Sequence, residues 1–149
     1  MADSGVSMLR GHYLRRLYAL LSPEELQAGL AHFTGTQRWY RYRCGEVTLA
    51  YYTDGIQYLA KNAECYWLLT EIVSVQTQTE ICQEPFQVWH LKLNEHQGAT
   101  LQCEDGNDNI VFTKDIPFTD FPLPEITIWV EFSEMEGVIK PVLLLPSEH

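Results

Sequence analysis

The chain has 149 residues, of which 46% are hydrophobic, and a formal net charge of −10. That length suits a single domain, 1–149, and that hydrophobic share excludes a globally disordered chain. No apolar run approaches the ~20 residues of a membrane helix, and the opening MADSGVSM lacks the basic-then-apolar order of a secretory signal, so a cytosolic location is expected.

The acid is unevenly spread. Residues 1–61 hold seven Lys/Arg against five Asp/Glu, which makes +2, whereas residues 62–149 hold three against fifteen, which makes −12. A lobe with that field repels phosphate backbones and attracts basic protein surfaces.

Residues 7–21 set Leu9, Tyr13, Leu17 and Leu20/Leu21 near helical spacing, with Arg10, Arg15 and Arg16 between them. They predict a short amphipathic helix, an extension on a core of 22–149. Ser22-Pro23-Glu24-Glu25 predicts a second helix start: Ser22 as N-cap, Pro23 at the first position and Glu25 closing a capping box. That helix turns Leu26, Leu30 and Phe33 inward and ends by Gly35.

Arg38–Arg43 and Val47–Tyr52 are rich in aromatic and β-branched residues and predict strands around a Cys44-Gly45 turn. Asp54 can cap the next helix, with Gln57 three residues on. It should run from about Ile56 to about Gln76. Cys65–Leu69 is apolar on every side, which marks a buried central helix packed on more than one surface.

From Pro85 the pattern is β. Strands are expected over Phe86–Leu93, Ala99–Cys103, Ile110–Phe112, Ile126–Phe132 and Val142–Leu145, with a turn through Ser133–Gly137. Pro117, Pro122 and Pro124 make 116–125 a loop or an edge. Short strands and polar turns imply an antiparallel meander. The expected class is α+β: two short N-terminal helices, then a long central helix packed on an antiparallel sheet.

No motif dictates a reaction. Cys44, Cys65, Cys82 and Cys103 form no C-x-x-C pair, so they read as reduced thiols rather than zinc ligands. The five histidines show no H-x-x-x-H or H-E-x-x-H spacing, and G-x-S-x-G, Walker and G-x-G-x-x-G loops are missing. The tip Glu104-Asp105-Gly106-Asn107-Asp108-Asn109 is rich in oxygen ligands but lacks the order and distal Glu of a calcium loop, and reads as a turn. No metal or cofactor is expected. Arg alternating with aromatics over 38–43 could stack bases or hold phosphate. It equally suits an edge strand whose arginines pair with the chain's own acids. The aromatics Trp39, Tyr51, Tyr52, Tyr58, Tyr66 and Trp67 suit either core or interface.

FTGTQRWYR (33–41), YTDGIQYLAKNAECYWLLTEI (52–72), CEDGNDN (103–109), TDFPL (119–123) and VLLLPSEH (142–149) stand in an order that resembles an uncharacterised bacterial family of unknown function. The resemblance spans most of 24–149, with 1–21 and Glu131–Lys140 as departures. It implies a small bacterial protein, often from a plasmid, phage or cyanobacterium, and no established activity. If the shared positions mark a surface, its residues are Tyr40, Arg41, Asp54, Gly55, Tyr66, Trp67, Asp105, Asn107 and Asp120. As fold signatures, Asp54 would be a cap and Tyr66 and Trp67 core.

The first functional expectation is a non-enzymatic binding protein that sets its acidic lobe on a basic partner, such as a CRISPR effector or another nucleic-acid-handling complex. It would act as a mobile-element anti-defence inhibitor, without touching nucleic acid or membrane. Its binding residues would be Glu104, Asp105, Asp108, Asp115, Asp120, Glu131, Glu134 and Glu136. An alternative surface is Arg38, Tyr40, Arg41, Asp54 and Tyr58. Other readings are a small-ligand binder or hydrolase with a pocket between central helix and sheet, and a self-associating structural module. Strands 126–132 or 142–145, taken as edges in need of cover, would make it a homodimer.

Overall fold

A computed structural model describes residues 21–149. The helix expected over 7–21 lies outside them. The described chain is α+β, with a seven-stranded sheet and four helices.

Helix α1 is Pro23–Leu30. The Glu25 N–H donates to Ser22 Oγ at 3.1 Å and the Ser22 N–H to Glu25 Oε1 at 3.0 Å, so the capping box forms as read. Strands β1 (Trp39–Cys44) and β2 (Val47–Thr53) make a hairpin. Helices α2 (Asp54–Asn62) and α3 (Tyr66–Ser74) follow, then the short α4 (Thr79–Cys82), which was not anticipated. The remaining strands are β3 (Phe86–Leu93), β4 (Ala99–Glu104), β5 (Ile110–Ile116), β6 (Glu125–Met135) and β7 (Val138–Leu144), and a 3-10 turn closes the chain at Pro146–Glu148.

The strands lie in the order β1-β2-β7-β6-β3-β4-β5. All pairs are antiparallel except β2–β7, which meet in parallel at Tyr51–Val142 and Tyr52–Leu143. The expected meander is therefore corrected: the N-terminal hairpin joins the same sheet, and β3 sits between β4 and β6. Strands 126–132 and 142–145 are interior, so the argument from exposed edges to a homodimer falls away. The true edges are β1 and β5. A register shift at Tyr42/Arg43 breaks the β1 ladder and another at Cys103/Glu104 breaks the β5 ladder. Such bulges, together with charged side chains, discourage edge-to-edge pairing.

Alternation sorts the sheet into two faces. Trp89, Leu91, Leu101, Cys103, Ile128, Val130 and Leu143 lie on one face, all buried under the helices. Leu59, Leu68, Leu69 and Ile72 fill this layer from the helical side. Gln87, fully buried, would be a costly polar group there. Instead it trades amide hydrogen bonds with Gln76 at 2.9 Å each way and accepts from Trp89 Nε1 at 2.8 Å. Strand β6 runs on to Met135, and the expected Ser133–Gly137 turn tightens to Glu136-Gly137, both at positive φ (53° and 84°). That pair of angles suits a two-residue hairpin of primed type.

The single long central helix is also corrected. It breaks at Ala63–Cys65, where the Ala63 N–H donates to the Leu59 carbonyl, the Cys65 N–H donates to the Ala60 carbonyl and Glu64 takes φ 50°. This is a left-handed helix stop, normally marked by Gly or Asn. A Glu gives no such mark. Nor is α3 apolar all round. Cys65, Leu68 and Leu69 are buried, but Trp67 is half-buried and Tyr66 is 43% exposed.

Candidate functional site

Two places gather the residues singled out in the sequence. The first is one end of the sheet, where β4 ends, β3 begins and the β6–β7 hairpin projects. Six of the eight candidate carboxylates stand there: Glu104, Asp105, Asp108, Glu131, Glu134 and Glu136. Glu84 precedes β3 at the same end. The Cys103 thiol senses this field: burial pushes it up to about 12, and Glu84, Glu104 and Asp105 add to the shift. Asp115 lies elsewhere. It pairs with Thr100, four residues from Glu104 along β4, or ~13 Å. Asp120 sits in the loop after β5, near enough to Cys65 to help burial push that thiol to about 12.

These carboxylates are not equally available. Asp105 Oδ1 accepts the N–H of Asn107 at 2.8 Å and of Asn109 at 3.2 Å, and Oδ2 accepts Asn109 Nδ2 at 2.8 Å. These bonds hold its carboxyl below the usual range and build the tip as an Asx turn. Glu136 accepts from Tyr51 Oη at 3.0 Å and pairs with Arg41. Both contacts depress its carboxyl, Tyr51 first. Glu104 Oε2 lies 3.5 Å from His90 Nε2, and Glu131 Oε2 lies 3.4 Å from His149 Nε2. His149 also sets its ring against Trp129 and Phe86, at 5.3 and 6.4 Å between centroids. Asp108 and Glu134 are exposed and make no hydrogen bond or ion pair among the described residues.

The second place is the start of α2. Thr53, not Asp54, is the N-cap: its Oγ1 accepts the Ile56 N–H at 3.4 Å. Asp54, at the first helical position, reaches back instead. Its Oδ2 accepts the N–H of Gln37 at 2.9 Å and of Arg38 at 3.3 Å, and its Oδ1 accepts Tyr40 Oη at 3.3 Å. Thr36 Oγ1 accepts the Asp54 N–H at 2.9 Å and donates to the Arg38 carbonyl at 2.6 Å. The Gln37 bond is the chief cause that holds the Asp54 carboxyl below its ordinary value. Glu148 completes the junction: it accepts from Thr53 Oγ1 at 2.5 Å, the Gly55 N–H at 2.9 Å and the Leu145 N–H at 2.9 Å. Three family-like segments, FTGTQRWYR, YTDG and LLLPSEH, thus meet in one hydrogen-bonded knot. Glu148 and Thr36 were missed. The signal for Glu148 was present, since Pro146 and Glu148 repeat the spacing of Pro23 and Glu25.

The alternative surface does not hold together as one patch. Tyr40 and Asp54 touch, with the Arg38 backbone beside them, but Arg41 points to the opposite face of the sheet with Tyr51. Tyr58 turns to α1, its ring 5.1 Å from that of Phe33. Next to Tyr40 the structure assembles other tyrosines. Tyr40 stacks on Tyr52 at 5.4 Å and 18°. Tyr66 Oη donates to Gln57 Oε1 at 2.8 Å, and Tyr42 Oη and Thr70 Oγ1 share a hydrogen bond of 2.7 Å.

Surface depressions of about 620, 520 and 510 Å³ lie between α1 and Leu123-Pro124, between Leu93–Gln97 and Phe118–Pro122, and around Lys61, Tyr66 and Trp67. Among the described residues no three His, Cys, Asp or Glu side chains converge as metal ligands. No described helix is long and apolar enough to cross a membrane.

A family model described as a family of unknown function, DUF6876, matches residues 24–149. The chain belongs to that family. No curated protein matches it. A crystal structure of a protein of unknown function from Enterococcus faecalis is similar at 18% identity and a TM-score of 0.48, over 67% of this chain and 89% of that one.

Proposed function

We propose that this family member is a non-enzymatic binding module that docks the acidic end of its sheet on a basic surface of a partner protein. The observation that supports this is the gathering of Glu104, Asp105, Asp108, Glu131, Glu134 and Glu136 at one end of the sheet, with the Asp108 and Glu134 carboxylates unpaired among the described residues. Basic surfaces of matching extent are built to hold phosphate backbones, so a nucleic-acid-handling complex is the partner class. Occupying such a surface would inhibit it, as an anti-defence protein from a mobile element would.

The test is capture of partners on the immobilised chain across a salt series, with a Glu131→Lys/Glu134→Lys variant beside it. The expected result is a basic partner that is lost as salt rises and lost from the variant, chiefly through a slower association rate. A captured set indifferent to both salt and charge reversal would overturn the reading.

A further inference from the structure

We propose that residues 9–20 of this chain, a basic amphipathic segment, dock as a helix in the groove that α1 forms with the loop Phe118–Pro124. The groove consists of two depressions that meet at Pro23. One lies between α1 and Leu123-Pro124, where Ala28, Ala31, Leu123 and Pro124 offer apolar surface. The other lies between Leu93–Gln97 and Phe118–Pro122. Backbone hydrogen bonds fix these walls: the Thr119 N–H donates to the Gln97 carbonyl at 2.8 Å and the Leu93 N–H to the Pro124 carbonyl at 2.9 Å. Phe121 and Leu123 are buried beneath, whereas Phe118, next to the fixed Thr119, is 68% exposed. A fixed groove with an exposed ring at its rim can bury an apolar stripe with little reordering of its own.

Three observations choose the occupant. The first is where the chain runs. The described residues begin at Leu21, which packs on the core two positions before Pro23. Residues 1–20 therefore join the fold at the groove, and so short a tether gives them an effective concentration in roughly the millimolar range. The second is pattern. Leu9, Tyr13, Leu17 and Leu20 fall within ~80° of one another on a helix, in a stripe about 17 Å long. The third is charge. The described residues that line the two depressions include Glu24, Glu95 and Asp120 and no Lys, Arg or His. Lys92, beside Leu93, faces Glu125 on the ladder. Residues 9–20 carry Arg10, Arg15 and Arg16 and no acid, and Arg10 and Arg16 flank the stripe on its two sides. An arginine-flanked stripe thus meets an acid-rimmed groove. The acidic end of the sheet, about 23 Å away along β3, is left to a partner.

The test is amide exchange in the full chain, read residue by residue, with a synthetic peptide of residues 1–20 as the unprotected reference. Exchange over 9–20 should be at least about tenfold slower in the chain than in the peptide. Leu9→Asp/Leu17→Asp, on the stripe, and Phe118→Ser, at the exposed ring, should each bring it to within about twofold of the peptide. Glu24→Lys/Glu95→Lys, at two exposed rim positions, should cut the protection about fivefold, and adding Arg10→Glu/Arg16→Glu should restore it. A helix that forms without the groove would not answer to changes in the groove. A thermal melt of each variant checks that the fold is retained, and the charge swap decides even if Phe118→Ser unfolds the chain. Exchange as fast as in the peptide, or protection indifferent to the groove variants, overturns the proposal. So does protection that rises with protein concentration, which would seat the segment on a second copy.

Discussion

The junction at the start of α2 and the acidic end of the sheet are both dense in polar side chains, yet they use them differently. At the junction Thr36, Thr53, Asp54 and Glu148 direct their oxygens to donors within the chain. At the acidic end like charges crowd together, and only some find partners. The first arrangement stabilises the fold. The second costs stability through self-repulsion, which is the usual mark of a surface kept for something outside the chain. Substitutions should separate the two regions: the junction should lose stability, and the acidic end should lose only binding.

The largest effect is expected at Gly55. A Cβ there would stand 2.6 Å from Glu148 Oε1 and 2.6 Å from Leu145 Cδ1. Gly55→Ala should expel the Glu148 carboxylate and forfeit its three hydrogen bonds, at about 2–4 kcal/mol. Glu148→Ala should cost about as much, and the double variant little more than either, since both break one interaction. Denaturant melts of the three variants decide this. Strictly additive costs would mean that Gly55 and Glu148 act separately, and the knot would dissolve.

That knot also shows how far the sequence could be read. Capping at Ser22 and the alternation of β3, β4 and β6 rest on neighbours a few residues apart, and these were readable. Thr53–Glu148 and Thr36–Asp54 join positions 95 and 18 apart. No local pattern encodes such a pairing. The break at Glu64 was hidden because a left-handed stop was assigned to a residue type that rarely takes one. Trp67 could be read as core or as interface, because its neighbours are apolar and its ring suits both. The hydrophobic run was real: Leu68 and Leu69 are buried, and Trp67 is half-buried against the same core. At the acidic end the charge of the lobe was readable from composition. Which acids share a surface depends on strand order, which sets Asp115 about 13 Å along β4 from Glu104 and leaves Asp120 in the loop after β5.

A smaller effect is expected at Asp54, and it carries a pH signature. Its carboxyl titrates below the ordinary 3.8 in the folded chain. The unfolded chain therefore binds the proton more readily, and stability from this group is complete above about 3.8. It is lost as pH falls through the depressed folded value. Asp54→Asn should cost about 1–2 kcal/mol near neutrality through weaker acceptance from Gln37, Arg38 and Tyr40. It should also flatten the acid limb of stability against pH. Asp105, Glu136 and Glu25 are depressed too and remain to shape that limb. The measurement is thus the slope between variant and parent below pH 3.8, not the midpoint. An unchanged slope would place Asp54 outside the junction's energetics.

The smallest effect on stability, and the sharpest contrast, belongs to the acidic end. Asp108 and Glu134 touch no cation among the described residues, so Asp108→Asn and Glu134→Gln should remove repulsion and break no contact described there. Each should leave stability within ~0.5 kcal/mol of the parent, and any shift should be upward and should shrink as salt screens the neighbouring acids. Glu136→Gln differs, because it releases Arg41 and Tyr51 across two strands. It should weaken the contact between the β6–β7 hairpin and β1–β2, and amide exchange in those strands would show it. If Glu134→Gln proved as damaging as Glu148→Ala, the acids would be structural, and the division between the two regions would fail. If it left the melt untouched while reducing capture of a basic partner, the charge at this end would be accounted for by the partner and not by the fold.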